Sequence, residues 1–348
     1  MIKKGIPFEE RSTGHDDFKR AAALGKLPTI PILVTPVGDV IRDGAAIVEH
    51  FESISGHQCS PTTPLQNLLS VLFDVIGAEG LRRPAMHFRW NYPEDNDEFL
   101  RHHFFSLFPP DTPDREQKTE SVMVKLRGVT EETRELVEDL YLEFLDALNN
   151  HFELNPYLLG GRPCLGDFGL LAPLYGHLGR DPHPAALMKK RAPRVYRWVE
   201  RMNRADKDAS EYFDRGTDFL PNDEIPDTLQ SILRVVAQDF IPETAASADF
   251  LNLWLLQNKP DAGTPAVFRL GSSIGSIDFK VRTQVIKALI VPYRHFQLQR
   301  LHRVFDESET QVQRRLNRLL VACGMADLLN IRLQRQIGRL DNLEVWLD

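Results

Sequence analysis

The amino-acid sequence predicts an α+β fold that is predominantly helical. Strand-like segments are concentrated in the first 57 residues and in one alternating stretch near the other end, "GSIDFKVRTQVIKALI". Between them, apolar residues recur at the 3.6-residue period of amphipathic helices. Of the 348 residues, 42% are hydrophobic and 26% are charged, which is the composition of a globular protein with more than one core.

The first 57 residues contain the clearest strand signals. "IKKG" is typical of the last turn of a helix that Gly5 ends. Residues 6–11 then read as a short strand and residues 16–24 as a short helix. "LPTIPILV" and "GDVIRD" predict a hairpin, and residues 44–51 predict a second short helix.

Residues 60–205 are predicted to be an all-helical domain. One wide apolar stripe comprises Leu136, Val137, Leu140, Tyr141, Phe144, Leu145, Leu148 and Phe152. Thr130 is the expected N-cap of that helix, and a further helix is expected over residues 193–202.

Residues 223–348 are predicted to be a mainly helical extension. Amphipathic helices are expected around residues 229–240 and 250–255, and again over residues 292–305 and 310–323. The alternating stretch before residue 290 fits either one strand or a hairpin.

Composition also excludes several function classes. A net charge of −7 argues against nucleic acid as the main partner, and no apolar run approaches the roughly 20 residues of a membrane span. Cys59, Cys164 and Cys323 lie far apart, which argues against a disulfide framework or a zinc site and favours the cytoplasm. No metal-ligand spacing is visible, and His102 and His103 are neighbours that point about 100° apart on a helix.

Residues 25–52, "GKLPTIPILVTPVGDVIRDGAAIVEHFE", resemble the second half of the thioredoxin-like domain of glutathione S-transferases. The resemblance implies a cis proline, best matched by Pro31 and alternatively by Pro28. It also implies that the Ile30 backbone pairs with the cysteinyl part of glutathione. Asp43 and Gly44 stand where the family has an acidic residue and a hydroxyl residue that hold the γ-glutamyl group. Gly44 keeps the backbone donor and loses the hydroxyl.

Two further stretches carry the same resemblance. "YLLGGRPCLGDFGLLAPLYGHLGRDP" resembles the family's buried helix with its capping box, with Cys164 at the N-cap and Asp167 at N3. We expect Phe168, Leu171, Tyr175 and Leu178 to form its buried face. "IKKGIPFEER" resembles the end of the family's first helix followed by its second strand. The thioredoxin-like domain, residues 1–57, is therefore expected to lack its first strand and most of its first helix, with Met1 an internal methionine of a longer natural protein.

The resemblance implies a partial thioredoxin-like domain, an all-α glutathione-transferase C-terminal-like domain and a further helical extension. Glutathione is the implied co-substrate, with Ile30, Pro31, Asp43 and Gly44 as its contacts and with no catalytic residue identified. The implied function is conjugation of glutathione to a small electrophile. That transfer is expected to be weak or absent, because the family's thiol-activating residue has no counterpart in this sequence. The alternative is a non-catalytic binding or scaffold protein. The resemblance also allows a homodimer.

Three other features have a functional and a structural interpretation. Cys164 at a helix N-terminus suggests a redox thiol, but buried capping positions are more often inert. Arg89 and Trp90 suggest a lining for the electrophile site, and packing beneath that cleft is the favoured alternative. Residues 292–305 form a basic amphipathic stretch that suggests a membrane or partner surface, although such stretches more often cover a core.

Overall fold

The protein, in the computed structural model, is a predominantly helical α+β fold, as the sequence predicts. The structure describes residues 1–56, 58–107, 127–266 and 273–348. The α-helices in these ranges are α1 (Asp16–Leu24), α2 (Gly44–Ser55), α3 (Pro64–Val75), α4 (Arg82–Trp90), α5 (Pro93–Leu107), α6 (Arg134–Leu154), α7 (Leu165–Gly176), α8 (Pro182–Arg191), α9 (Pro193–Met202), α10 (Asp227–Asn258), α11 (Tyr293–Asp306) and α12 (Thr310–Ala322). The strands form three antiparallel pairs: β1 (Ile32–Val34) with β2 (Val40–Arg42), β3 (Ser276–Val281) with β4 (Gln284–Leu289), and β5 (Ile337–Leu340) with β6 (Leu343–Trp346).

The N-terminal region follows its local signals closely. Ile2–Lys4 is a 3-10 turn that Gly5 ends in the left-handed conformation. Helix α1 has the predicted bounds, and the ring of His15 accepts a hydrogen bond from the Asp17 N–H at its start. Strands β1 and β2 form the predicted hairpin, with Ile32 opposite Arg42.

The predicted strand over residues 6–11 is wrong. This segment has no regular secondary structure, and most of its side chains are exposed. The outer edge of β2 is already occupied by Asn342, whose side chain accepts from the Arg42 N–H at 3.2 Å and donates to the Val40 carbonyl at 2.8 Å. A strand is stabilised only by a hydrogen-bonding partner, and the segment makes no pairing within the described residues.

The core of the helical region is formed mainly by α3, α6, α7 and α9, with α10 and α11 packed beside them. Most of the predicted apolar stripe of α6 is buried there. The helix begins one turn later than expected, after Thr133 rather than Thr130. The Thr133 hydroxyl accepts from the Thr130 N–H and donates to the Gly128 carbonyl, which holds the preceding residues in a turn.

The predicted buried face of α7 is confirmed at Leu178, which is fully buried, and in part at Phe168 and Leu171, which are partly buried against the core, but it is wrong at Tyr175. Tyr175 is 42% exposed, and the side in contact with the core consists of Gly166, Asp167, Gly169, Leu170, Pro173 and Leu174. Glycine allows this orientation, because a side chain at position 169 would not fit: a Cβ at Gly169 would lie 2.5 Å from the Asp74 Cα atom. Helices α3 and α7 therefore meet backbone to backbone, and the larger side chains lie at the sides of the contact.

The C-terminal segment contains one long helix where two were predicted. Helix α10 runs for 32 residues through Pro242, because buried side chains such as Leu233, Phe240 and Leu251 hold it to the core on both sides of the proline. The alternating stretch is a hairpin. The second hairpin, β5–β6, was not predicted, although its turn residues Asp341 and Asn342 both have the positive φ of a hairpin turn.

Candidate functional site

The four predicted contact residues lie together at the start of α2. The Asp43 N–H donates to the Pro31 carbonyl at 3.0 Å, and a Cβ on Gly44 would lie 4.0 Å from the Pro31 ring. The Ile30–Pro31 peptide bond is cis, so the structure favours Pro31 over Pro28 as the cis proline. Ile30 is 63% exposed, and its backbone has no hydrogen-bond partner among the residues the structure describes.

Asp43 begins the helix in an unusual conformation. Its φ is 89° and its ψ is 134°, a combination that non-glycine residues adopt only when their surroundings hold them there. One carboxylate oxygen, Oδ1, accepts from the Ala45 N–H at 3.3 Å and so caps α2. The backbone N–H of Gly44 belongs to the same helix start, where the helix dipole favours negative charge.

The Asp43 carboxylate is also bound by two residues that the sequence did not suggest. The Tyr293 hydroxyl donates to Oδ1 at 2.7 Å, and the Arg339 guanidinium donates to Oδ2 at 2.5 Å. The Asp43 side chain is left only 12% exposed. Tyr293 comes from the start of α11 and Arg339 from β5, so both belong to the C-terminal segment.

A continuous set of polar contacts extends from Asp43 into the C-terminal hairpin. Arg339 also donates to Glu344, and the other oxygen of Glu344 accepts from Arg42. Arg42 additionally donates to the Asn342 carbonyl at 2.7 Å. The hairpin β5–β6 is thereby joined to β2 and to the start of α2.

A second set of contacts extends from Tyr293 into the helical region. Gln297, one turn further along α11, donates to the Tyr293 hydroxyl and accepts from Arg300 at 2.8 Å. Arg300 in turn donates to Asp74 of α3 at 2.6 Å. Burial, and after it the neighbouring Asp43 carboxylate, raise the pKa of the Tyr293 phenol well above its ordinary value. Tyr293 therefore remains a protonated donor at neutral pH.

The capping box of α7 has the predicted geometry. Asp167 accepts from the Cys164 N–H at 2.9 Å, from the Leu158 N–H at 3.2 Å and from the Trp198 indole at 3.0 Å. Burial raises the pKa of the Cys164 thiol well above its ordinary value and that of Cys59 to about 12. A protonated thiol is a poor nucleophile, so the inert interpretation of these cysteines is supported.

The remaining candidates are structural within the residues described. Arg89 forms a buried bidentate pair with Asp181, at 2.7 and 2.8 Å, and Trp90 stacks on Phe104. These contacts favour packing over substrate binding. No group of His, Cys, Asp and Glu side chains suited to a metal ion occurs in the described ranges.

One cavity lies away from this site, between α4, α6, α10 and β4. Its volume is about 40 Å³, and its polar lining includes Arg83, Tyr141 and Asp239. That volume is sufficient for roughly three water molecules and too small for a tripeptide. The cavity therefore does not compete with the start of α2 as a site for glutathione.

Comparison with known proteins identifies one segment of the chain. Residues 97–206 match the family model described as "Glutathione S-transferase, C-terminal domain". No curated protein and no solved structure matches the chain. None of the helices in the described part is long and apolar enough to cross a membrane. The match ends where the predicted helical domain ends and includes the capping box of α7. Residues 97–206 are therefore similar to the C-terminal domain of glutathione S-transferases, which agrees with the resemblance seen in the capping-box segment.

Proposed function

We propose that the protein binds glutathione at the start of α2, with Ile30, Pro31, Asp43 and Gly44 as its contacts. The observation that supports this most directly is the exposure of Ile30, whose N–H and C=O have no hydrogen-bond partner among the described residues and lie near a helix N-terminus. An extended peptide can pair with such a backbone as an added strand, and a carboxylate can accept from the N–H groups of the helix start. Each neutral hydrogen bond contributes about 1 kcal/mol, so the affinity is expected to be low.

Conjugation of the glutathione thiol to a small electrophile is the proposed activity. It requires a group that stabilises the thiolate. Tyr293 is the hydroxyl that contacts Asp43, and because its proton is already donated to that carboxylate it is not available to a thiolate. We therefore expect slow transfer. We also propose that the protein is located in the cytoplasm and forms a homodimer.

A non-catalytic binding or scaffold role is the second candidate. It is favoured by the commitment of the Asp43 carboxylate to Tyr293 and Arg339, which ties the N-terminal region to the C-terminal segment. Contacts of this kind serve to hold two parts of a protein in a fixed arrangement. They do not contribute to thiol transfer.

Retention on immobilised glutathione tests the proposed site. The Gly44→Ser variant restores a hydroxyl at the helix start, and its Cβ would meet only the Pro31 ring at 4.0 Å. We expect about fivefold stronger retention than for the parent, since one added hydrogen bond contributes about 1 kcal/mol. Gly176→Ser is the matched control, because a Cβ there also meets open space, at the far end of another helix. Absence of retention for both the parent and Gly44→Ser would rule out the site.

Turnover with a generic aromatic electrophile separates the two candidate functions. A glutathione-dependent rate that rises in Gly44→Ser and not in Gly176→Ser supports the enzyme. Retention of glutathione without any rate above the uncatalysed reaction supports the binding or scaffold role.

A further inference from the structure

Asp43 could use its carboxylate to hold the free amino group of glutathione, or it could serve only contacts within the chain. The structure bears on this choice, because a carboxylate has about four acceptor positions. Three donors already occupy Asp43: the Ala45 N–H, the Tyr293 hydroxyl and the Arg339 guanidinium. Little acceptor capacity remains for a ligand.

Arg339 also adds a positive charge where a ligand ammonium would have to approach. Its guanidinium lies 2.5 Å from Asp43 Oδ2 and 2.5 Å from Glu344 Oε1, and it covers the ring of Phe296 at 5.1 Å. Two carboxylates and an aromatic face hold it in place. A second cation at Asp43 would therefore meet a fixed like charge.

Tyr293 is held in the same way. Its hydroxyl accepts from the Gln297 side chain while it donates to Asp43, and its ring packs on Phe296. Replacement of this donor by a ligand ammonium would leave the buried hydroxyl without its acceptor, which is unfavourable. Both C-terminal donors thus oppose recognition of an amino group at Asp43.

We infer that Tyr293 and Arg339 determine which glutathione derivative the site accepts, and that the site recognises the peptide backbone and the carboxylate but not the free α-amino group. The inference rests on the proposed glutathione site. Glutathione whose amine is blocked as an amide is then bound as well as free glutathione. The ion pairs around Asp43 support this, because the carboxylates of Asp43 and Glu344 are already paired with Arg42 and Arg339.

Isothermal calorimetry of the full chain with glutathione and with N-acetylglutathione provides the test. We expect dissociation constants within about threefold of each other, because the amine contributes no contact at Asp43. Tyr293→Phe and Arg339→Gln each remove one hydrogen-bond donor from the Asp43 carboxylate. We expect both variants to bind free glutathione about tenfold more tightly than N-acetylglutathione. Arg335→Gln is the matched control, since this arginine of the same C-terminal segment donates to the Leu347 carbonyl and not to Asp43. It should bind both ligands as the parent does.

The outcomes separate this inference from the proposed function. If the parent prefers free glutathione by tenfold or more, the inference is overturned and the glutathione site stands. If the parent binds neither ligand, both are overturned. Equal affinities that persist in Tyr293→Phe and Arg339→Gln, with both variants folded as judged by thermal unfolding, would overturn the role assigned to these two residues.

Discussion

Arg42 and Glu344 form an ion pair that is almost completely removed from solvent. The Arg42 side chain is 5% exposed and that of Glu344 is 0% exposed. Glu344 also accepts from Arg339, so one buried carboxylate balances two arginines. Such a pair contributes little relative to an apolar core, but loss of one partner leaves an uncompensated buried charge.

Glu344→Gln is therefore expected to destabilise the protein by about 3 kcal/mol or more, because Arg42 and Arg339 lose a buried counter-charge. Urea denaturation measures the change in the free energy of unfolding. Asp306→Asn is the matched control. This substitution breaks the bidentate pair with Arg332, at 2.7 Å, in which both side chains are about half exposed. It should lower the free energy of unfolding by less than about 1 kcal/mol. Similar costs for the two variants would show that the buried pair has no special role.

Single residues differ in how far their partners can be predicted from sequence. The contact between Asp167 and Cys164 follows from a spacing of three residues, which is why the capping box was predicted. Asp43 and Gly44 were identified through the resemblance to glutathione S-transferases, because they stand where that family has an acidic residue and a hydroxyl residue at a helix start. Tyr293 and Arg339 lie 250 and 296 residues from Asp43, and no local pattern links them to it. The glutathione role of the four predicted residues stays a proposal.

At the scale of elements, the crossing of α3 and α7 depends on the absence of side chains. A Cβ at Gly169 would lie 2.5 Å from the Asp74 Cα atom, and one at Gly77, in the π-helical turn that continues α3, would lie 2.1 Å from the Gly169 carbonyl carbon. Both neighbouring groups are backbone and cannot rotate away. An added methyl group must therefore push the two helices apart.

Gly169→Ala is expected to destabilise the protein by about 1–3 kcal/mol, because overpacking outweighs the better helix propensity of alanine. Gly176→Ala on the same helix is the matched control. A Cβ there meets nothing within 4 Å, so alanine should be neutral or stabilise by up to about 1 kcal/mol. Thermal unfolding of the two variants measures the difference. Equal melting temperatures would contradict a backbone-to-backbone contact.

Elements with complete local signals were predicted well. Helix α1, the β1–β2 hairpin and α12 each carry their own start, period and end in the sequence. Three predictions failed, in whole or in part, because contacts with residues distant in the sequence determine the structure at those places. The strand over residues 6–11 lacks a neighbour within the described residues. Tyr175 of α7 is exposed because the glycine side of the helix makes the closest contact, and the continuity of α10 is set by packing on both sides of Pro242.

At the scale of the whole molecule, the C-terminal segment connects the N-terminal region to the helical region. Side-chain contacts lead from Arg42 through Glu344, Arg339 and Asp43 to Tyr293, and from there through Gln297 and Arg300 to Asp74 of α3. Residues outside the matched family segment thus complete the surroundings of the candidate site. The site and the C-terminal segment are therefore expected to unfold together.

Four histidines are buried in the described part of the structure, His87, His151, His295 and His302. His151 is hydrogen-bonded to Thr228 at 2.8 Å and His295 to Ser247 at 3.0 Å, and the ring of His302 faces the Leu328 carbonyl. Burial lowers the pKa of His151 and of His302 to about 4, that of His295 and of His177 to about 3, and that of His87 below its ordinary value. In the unfolded chain each imidazole regains its ordinary pKa of about 6.5.

The free energy of unfolding is expected to fall as the pH is lowered from 6.5 to 5, because the unfolded chain binds protons at these histidines more readily than the native protein does. Asp167 acts in the opposite direction, since burial raises its pKa to about 6 and the native state gains that proton. Each proton by which the unfolded chain exceeds the native protein contributes about 1.4 kcal/mol per pH unit to the slope. Urea denaturation at several pH values measures how steeply the free energy of unfolding changes with pH.

His151→Gln should reduce that slope by about one proton, whereas His102→Gln, at an exposed histidine, should leave it unchanged. A slope that His151→Gln does not alter would show that this imidazole is protonated in the native state.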